Sequence, residues 1–210
     1  MLTLTTLPDA PDPAVIDAAV RMLRAGGVVA YPTDTLYGLA VDPRLDAAAG
    51  RLFDIKGRAE GQAIPLVAAD LHQALAAGVF SPRALRLART FWPGPLTLVV
   101  RAHPGLSPYV LAGGTTIGIR VPAHPVARAL AARLGGPITA TSANPSGRPP
   151  AAAAGALDPG VTAALDAVLD AGPAPGGLPS TLVDVTSADV RLLRAGAVAW
   201  ERVLRSAAGD

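Results

Sequence analysis

Two cationic side chains flank a glycine in the triplet Lys56-Gly57-Arg58, between a predicted helix and a predicted strand. An ammonium group and a planar guanidinium presented by one bend suit the oxygens of a polyphosphate. Lys56 is also the only lysine among the 18 basic residues. The alternatives to a phosphate site are a solvated turn and a coding bias that left one lysine by chance.

Hydroxyl and amide side chains gather at the ends of two other predicted strands. One segment runs from Thr33 to Gly38, and the other, residues 139–147, holds Ser142 and the only asparagine of the chain, Asn144. Loops at strand ends commonly carry binding residues, so both segments could dock a polar ligand. A turn that satisfies its own backbone has the same composition, and the residues alone leave both interpretations open.

Arginine occurs inside two apolar strand patterns. Arg120 lies between Ile119 and Val121, and Arg194 has a similar place in RLLRAG. A charge in such a strand needs an anionic partner, which is either a ligand or a structural carboxylate. The sequence contains neither a P-loop nor a convincing G-x-G-x-x-G turn, so a nucleotide would have to be bound by a different kind of phosphate-binding segment.

The elements that must position these residues alternate between helix and strand. Helices are predicted near 13–25, 46–54, 82–92, 124–134 and 161–166, with a short one at the end of the chain. Strands are predicted at 27–31, 36–42, 64–69, 95–102, 115–121, 137–144, 167–172, 180–186 and 190–194. The close spacing of several strands favours a mixed sheet over a purely parallel one. Residues 171–180, AGPAPGGLPS, are predicted to form a mobile lid or a plain connection.

Composition excludes several kinds of chemistry. With 210 residues and 50% hydrophobic content, the chain is expected to form one domain over 1–210. It has no cysteine, which removes disulfides, thiolate nucleophiles and Cys-ligated zinc, and its three histidines are scattered. The net charge of +2 does not imply a general nucleic-acid surface. Without a long apolar run or a signal-peptide pattern, a cytoplasmic protein with no membrane contact is expected.

Several segments together resemble the threonylcarbamoyl-AMP synthase family, whose members are YrdC-like. They are AYPTDTLYGLAVD, FDIKGR, FWPGPLTLVV, TTIGIRVPAHPVA, TATSANPSG, PSTLVDVT and RLLRAG, in the order and spacing of the family over about 14–195. The resemblance is to the short form without an extra C-terminal domain. It implies an α/β fold with a twisted open mixed sheet, flanking helices and a concave, positively charged cavity.

The resemblance also implies roles for individual residues. L-threonine would be bound by Thr35, Arg120, Ser180 and the backbone of Ala140. ATP would be bound by Lys56, Arg58, Thr116, Ser142, Asn144 and Arg194, with Lys56 and Arg58 as the catalytic cations and Tyr37 lining the same cavity. No metal ligands are implied in the protein, and Mg²⁺ would enter bound to ATP.

The implied reaction is that of a nucleotidyltransferase. Threonine and bicarbonate or carbon dioxide form a carbamate, which attacks the α-phosphorus of ATP and displaces pyrophosphate. The product, threonylcarbamoyl-AMP, would pass to a tRNA threonylcarbamoyl transferase complex, with weak binding of tRNA as a further expectation. Two alternatives stay open: an RNA-binding module, and a carbamoyl-adenylate enzyme like the related domain of hydrogenase-maturation proteins.

Four departures from the family pattern concern the threonine side of the cavity. Ala69 stands where many members have histidine, and Ala59 follows Arg58 in place of proline. Pro179 replaces an expected glutamate, and the loop 59–64 looks longer than usual. We therefore expect the threonine pocket to be built differently on that side.

Overall fold

In residues 1–57 and 62–209, which the computed structural model describes, helices and strands alternate along the chain. The helices are α1 Pro13–Arg24, α2 Asp46–Lys56, α3 Leu71–Ala77, α4 Pro82–Phe91, α5 Pro108–Leu111, α6 Pro125–Leu134, α7 Pro159–Ala163 and α8 Trp200–Ala208. The strands are β1 Leu2–Thr5, β2 Val29–Pro32, β3 Tyr37–Ala40, β4 Leu66–Val67, β5 Gly78–Val79, β6 Leu96–Ala102, β7 Thr116–Arg120, β8 Ile138–Thr139, β9 Thr141–Ser142, β10 Ala167–Asp170, β11 Thr181–Asp184 and β12 Arg191–Arg194.

The strands form two mixed sheets. In the first sheet, of order β1-β10-β2-β3-β9, the first three strands are parallel, and β3 runs antiparallel to both of its neighbours. In the second sheet, of order β12-β11-β6-β7-β4-β8, parallel pairs alternate with antiparallel ones, and β5 pairs with β6. Both sheets therefore combine the two strand directions.

One short segment joins the two sheets at Ala140. β8 ends the second sheet at Thr139, and β9 begins at Thr141 in the first. Around the crossing, the Ala140 N–H donates to Pro65 O at 2.7 Å and the Thr139 N–H donates to Val41 O at 3.2 Å. Residues of both sheets are thus brought within a few ångströms of Ala140.

Local capping fixes where several helices begin. Asp12, Ser81 and His124 precede α1, α4 and α6, and each side chain accepts a hydrogen bond from a backbone N–H of the first turn. A proline at the start of each of these helices suits this position because its missing N–H would have no intrahelical partner. Burial lowers the pKa of His124, which keeps its Nδ1 an acceptor for Val126 N at 3.2 Å.

Strand β2 of the first sheet is buried on both faces. Val29 of β2 packs in a cluster with Leu23 of α1 and Leu130 of α6. Its neighbour Ala30 points the other way, into the large cluster that includes side chains from β6, β7 and helices α2, α4 and α8. A strand covered on both faces is uniformly apolar, which explains the run GVVAY at this point in the sequence.

The predicted α/β class and mixed strand directions are confirmed, although the strands form two sheets where one was predicted. The strand predicted at 64–69 shortens to Leu66–Val67. Pro65 has no N–H, and the N–H of Ala69 instead donates to Gln73 Oε1 at 2.8 Å. The prediction missed β1, α3, α5 and the two-residue β5. Within the described part of the chain, no helix is long and apolar enough to cross a membrane.

Candidate active site

A cavity of about 570 Å³ is lined by residues of both sheets around the Ala140 crossing. Most residues predicted for ligand binding line it: Thr35, Tyr37, Arg120, Ala140, Ser142, Asn144, Ser180 and Arg194. The volume is within the usual range for a small-molecule site. The structure therefore brings together groups that are up to 159 positions apart in sequence, from Thr35 to Arg194.

Two predicted residues, Thr116 and Lys56, do not line the cavity. Thr116 begins β7 opposite Arg101, at the far end of the strand from Arg120, and does not line the cavity. Lys56 lies behind the cavity wall and contacts two residues that line it, Ser142 and Asn144. Arg58 lies outside the described residues, as do residues 59–61, which form half of the loop 59–64 and include Ala59.

The turn between β2 and β3 presents Thr35 to the cavity. Thr33 holds this turn, because its hydroxyl donates to Leu36 O at 2.8 Å and accepts from the N–H of Thr35 at 3.2 Å. The Thr33 and Thr35 hydroxyls lie 3.1 Å apart, and both residues are buried. The turn therefore satisfies its own backbone groups, as the alternative interpretation predicted, and it also places Thr35 in the cavity wall.

Arg120 ends β7 and forms an ion pair with Asp34. Its Nη1 donates to Asp34 Oδ1 at 3.0 Å, and the two side chains are only 8% and 11% exposed. The other carboxylate oxygen, Oδ2, is buried and has no hydrogen-bond partner among the described residues. The anionic partner that the sequence required for Arg120 is therefore available within the protein itself, which leaves its remaining N–H groups for the cavity.

Lys56 is the last residue of α2, and Gly57 follows it in the left-handed conformation at φ 52°. Its ammonium donates to Ser142 O at 2.6 Å, to Asn144 O, and to Asn144 Oδ1 at 3.3 Å. The Ser146 N–H donates in return to Lys56 O at 3.0 Å. With Lys56 only 4% exposed, its side chain is not solvated as the alternative of a solvated turn requires. The two predicted motifs form one hydrogen-bonded unit.

Asn144 fixes the turn that follows β9. Its Nδ2 donates to Pro145 O at 2.9 Å and to Arg148 O, while its Oδ1 faces the ammonium of Lys56. A side chain with both donors and acceptors is needed to satisfy this arrangement. Asn144 therefore shapes the cavity wall as well as lining it.

Arg194 of β12 is held against Ser180. Its Nη2 donates to Ser180 O at 2.9 Å and to Ser180 Oγ at 3.1 Å. Partial desolvation and, secondly, the like charge of Arg120 lower the pKa of Arg194, although a guanidinium stays protonated at neutral pH. Two fixed cations on the same cavity create a site that favours an anion.

Two tyrosines of the cavity wall act as hydrogen-bond donors. The Tyr31 hydroxyl donates to Thr139 O at 3.0 Å, and burial raises its pKa. The Tyr37 hydroxyl donates to Gly172 O at 2.7 Å, at the start of the segment 171–180, and burial followed by Asp170 raises its pKa to about 12. Both phenols therefore stay protonated at neutral pH and brace the wall.

Comparison with models of protein families identifies the family of this chain. A model of the Sua5_yciO_yrdC family, described as "Telomere recombination", matches residues 21–196. The chain belongs to this family. Halorhodospira halophila has a threonylcarbamoyl-AMP synthase that is 44% identical over 147 residues, which cover 69% of this chain and 76% of that protein. The Stenotrophomonas maltophilia threonylcarbamoyl-AMP synthase is 40% identical over 182 residues, or 83% of this chain and 96% of that protein.

A solved structure of the Sua5_yciO_yrdC family extends the similarity to the fold. The crystal structure of P. abyssi Sua5 complexed with L-threonine superposes with a TM-score of 0.90 at 30% identity. The match covers 98% of this chain and 61% of the P. abyssi chain. This chain thus spans about three-fifths of the length of that relative.

Sequence reasoning missed the ion-pair partner of Arg120 and two residues that line this family member's cavity. Asp34 stands within the TDT segment, yet only the fold reveals that it faces Arg120. Thr97, in the strand of FWPGPLTLVV, and Arg148, beyond Asn144, also line the cavity. The single hydroxyl in an otherwise apolar strand was the signal for Thr97. Of the departures from the family pattern, Pro179 lines the cavity and Ala69 does not.

Proposed function

We propose that this protein is an L-threonylcarbamoyladenylate synthase, a nucleotidyltransferase that uses L-threonine, bicarbonate or carbon dioxide, and ATP. The observation that carries the proposal is the cavity between the sheets, which is lined by two arginines, Arg120 and Arg194, together with the hydroxyl residues Thr35 and Ser180. Similarity to proteins named threonylcarbamoyl-AMP synthase, and to a structure complexed with L-threonine, supports the choice of substrate.

The amino acid binds at the Arg120 end of the cavity. Arg120 pairs with the carboxylate of threonine through the N–H groups that Asp34 does not use, since one guanidinium carries five donors. Thr35, Ser180 and the backbone of Ala140 complete the pocket. A pocket that touches the threonine methyl discriminates against serine by about 1 to 3 kcal/mol, the usual value of one methyl or methylene group.

The nucleotide binds across Ser142, Asn144 and Arg194, and we assign Arg58 and Thr116 to the same substrate. Arg194 supplies a fixed guanidinium to the phosphates. Lys56 acts in this arrangement through the turn that it holds and through its charge behind the cavity wall. Cations fixed before the reaction stabilise charge that shifts toward the leaving pyrophosphate.

The chemistry requires no protein nucleophile. The amine of threonine attacks the carbon of carbon dioxide and loses a proton, which gives the carbamate. A carbamate oxygen then attacks the α-phosphorus, and the bond from that phosphorus to the bridging oxygen breaks as pyrophosphate leaves. The protein holds the two substrates in line. This positioning is the main source of the rate enhancement when the substrates themselves supply the reacting groups.

Magnesium enters as part of the ATP substrate, where it neutralises phosphate charge. Among the described residues, no group of three or more His, Cys, Asp or Glu side chains could hold a metal ion. The donor set of the cavity is instead made of arginines, hydroxyls and amides, which suits the anionic ends of the substrates. The proposal therefore assigns no resident metal site to the protein.

The product would be consumed by a tRNA threonylcarbamoyl transferase complex in the cytoplasm, where tRNA is modified. We further propose that the whole chain acts as one domain. Weak tRNA binding at the basic cavity stays part of the proposal. Base stacking is not available from Tyr31 or Tyr37, because both rings are fully buried in the wall.

Pyrophosphate release with each substrate omitted in turn tests the proposal. We expect release to require L-threonine, bicarbonate, ATP and Mg²⁺ together, with L-serine a poor substitute. Turnover without threonine would refute the assignment. Release with carbamoyl phosphate in place of threonine and bicarbonate would favour the carbamoyl-adenylate alternative, and salt-sensitive RNA binding without ATP turnover would favour the RNA-binding module.

A further inference from the structure

Thr97 of β6 and Ser180, just before β11, share a hydrogen bond in the cavity wall. Their hydroxyl oxygens lie 2.7 Å apart, and the two residues are 3% and 8% exposed. β6 and β11 are parallel neighbours, and Thr181 pairs with Leu96 in register. The contact is therefore built by the sheet itself, and either oxygen could be its donor.

Arg194 restricts what the Ser180 hydroxyl can do. A guanidinium has only donors, so the bond from Arg194 Nη2 to Ser180 Oγ occupies one of the two lone pairs of that oxygen. The pair of hydroxyls holds two protons, and one of them is used between Thr97 and Ser180. One proton is left over, and it belongs to whichever hydroxyl accepts the mutual bond.

The packing of the Thr97 side chain favours Thr97 as the donor of that bond. No acceptor for its proton other than Ser180 Oγ lies within hydrogen-bonding distance in residues 1–57 and 62–209. The Thr97 methyl lies against Gly118 of β7, where an added Cβ would come within 3.1 Å of it. The methyl thus fixes the rotamer that points the hydroxyl at Ser180, because a β-branched side chain is stiff at χ1.

Both lone pairs of Ser180 Oγ are then occupied, one by Arg194 and one by Thr97. We propose that Thr97 is a positioning residue that makes the Ser180 hydroxyl a hydrogen-bond donor into the cavity, so that it meets an oxygen of the amino-acid substrate and not its amino group. This inference rests on the proposed function and deepens it. It assigns to Thr97 a part in selecting the amino acid without contact with the reacting atoms.

Three variants of the full chain test the inference through pyrophosphate release and through binding of L-threonine by calorimetry. Thr97→Val keeps the shape and removes the hydroxyl, which lets the Ser180 proton turn toward other acceptors. We expect the KM and Kd for L-threonine to rise by roughly 3- to 10-fold, as for loss of a neutral hydrogen bond. The KM for ATP and the kcat should stay near the wild-type values. Thr97→Ser keeps the hydroxyl and should restore at least half of the lost affinity.

Thr181→Val is the matched control. Thr181 is the next buried threonine along this part of the sheet, and its hydroxyl bonds to Val198 O at 2.7 Å, away from the cavity. This variant should lower the melting temperature without changing the KM for L-threonine. An unchanged KM in Thr97→Val, an equal rise in the KM for ATP, or no recovery in Thr97→Ser would each overturn the role of Thr97.

Failure of the inference and failure of the proposed function give different results. If the wild-type protein releases pyrophosphate only with threonine and Thr97→Val matches it, Thr97 alone is wrongly assigned. If the wild-type protein neither binds L-threonine nor needs it for turnover, the proposed function is wrong and the inference falls with it.

Discussion

Replacement of Lys56 by alanine removes the ammonium that joins α2 to the turn after β9. In the wild-type protein this group donates to Ser142 O, Asn144 O and Asn144 Oδ1. Lys56 is 4% exposed, so water cannot readily replace it at these acceptors. We expect Lys56→Ala to destabilise the fold as well as to impair activity.

The expected magnitude follows from the number and kind of these contacts. A hydrogen bond to a charged group contributes about 1.5 to 3 kcal/mol. Three acceptors share one ammonium and their contributions are not additive, so we expect a total loss of about 3 to 5 kcal/mol, as for breaking a buried charged network. In a chain of this size that loss lowers the melting temperature by about 10 °C.

Urea denaturation followed by circular dichroism measures the change, and Arg51→Ala is a matched control on the same helix. Arg51 pairs with Asp166 at 2.8 Å, but both side chains are well exposed, at 43% and 39%. Exposed ion pairs are worth about 0 to 1 kcal/mol, so the control should lose much less. Lys56→Arg keeps the charge, but the larger planar guanidinium does not fit the space that the ammonium occupies beside Ser142 and Asn144. We therefore expect Lys56→Arg to lose more than about 1 kcal/mol of unfolding free energy.

Chemical labelling gives an independent measurement, because Lys56 is the only side-chain amine. An amine-selective reagent should modify the N-terminus quickly and Lys56 slowly, even without ATP. A Lys56→Ala protein within about 0.5 kcal/mol of wild type, together with rapid labelling of Lys56, would refute the tether to Ser142 and Asn144. Arg58 and Arg194 would then remain as the proposed phosphate-binding cations.

Three further predictions concern other parts of the site and its support. Arg120→Ala should raise the KM for L-threonine by roughly 30-fold or more, as for truncation of one partner of a buried charge pair, and an equal loss for ATP in the pyrophosphate assay would contradict its role. Burial raises the pKa of Asp184, but hydrogen bonds from Thr186 and Arg191 outweigh it and hold the pKa below its ordinary value. The resulting stability is present above the unfolded-state pKa of about 4 and is lost as pH falls through the native value. In urea titrations the gap between wild type and Asp184→Asn should therefore shrink from pH 7 to about pH 3, and a constant gap would contradict this account. Gly196→Ala would press a methyl onto Pro179 O and the backbone of Ser180, costing at least about 2 kcal/mol. Gly155→Ala, whose added carbon meets nothing within 4 Å, should be nearly neutral in the same thermal melt.

Local sequence signals predicted the helices with clear boundaries. α1 begins at a capping aspartate and proline, and α6 ends at Gly135 in the left-handed conformation, so both were found close to their observed ends. The two-sheet arrangement was not predictable from these signals. β8 and β9 look like one continuous strand in TATSAN, and only the tertiary pairing sends their residues into different sheets. Strand β1 was missed because it is largely solvent-exposed, so its sequence lacks the apolar run of a buried strand.

Most of the residues predicted to bind ligand line the cavity, and they were predicted from motifs of polar and charged side chains in and at the ends of strands. What the sequence could not provide was the partner of each charged group. Arg120 required an anion, but a carboxylate 86 positions away became that partner only through the fold. Lys56 was predicted beside phosphates, and that stays a prediction. The contacts of its ammonium with the backbone carbonyls of Ser142 and Asn144 could not be predicted, because backbone acceptors are not specified by residue type.

The crossing at Ala140 also has a mechanical consequence. Residues 138–142 pass from one wall of the cavity to the other, so a rocking of one sheet against the other would bend the chain near Ala140. Groups close to Ala140 would keep their spacing during such a motion, whereas groups far from it would travel further. The cavity can thus widen to admit a nucleotide while the contacts nearest the hinge hold their register.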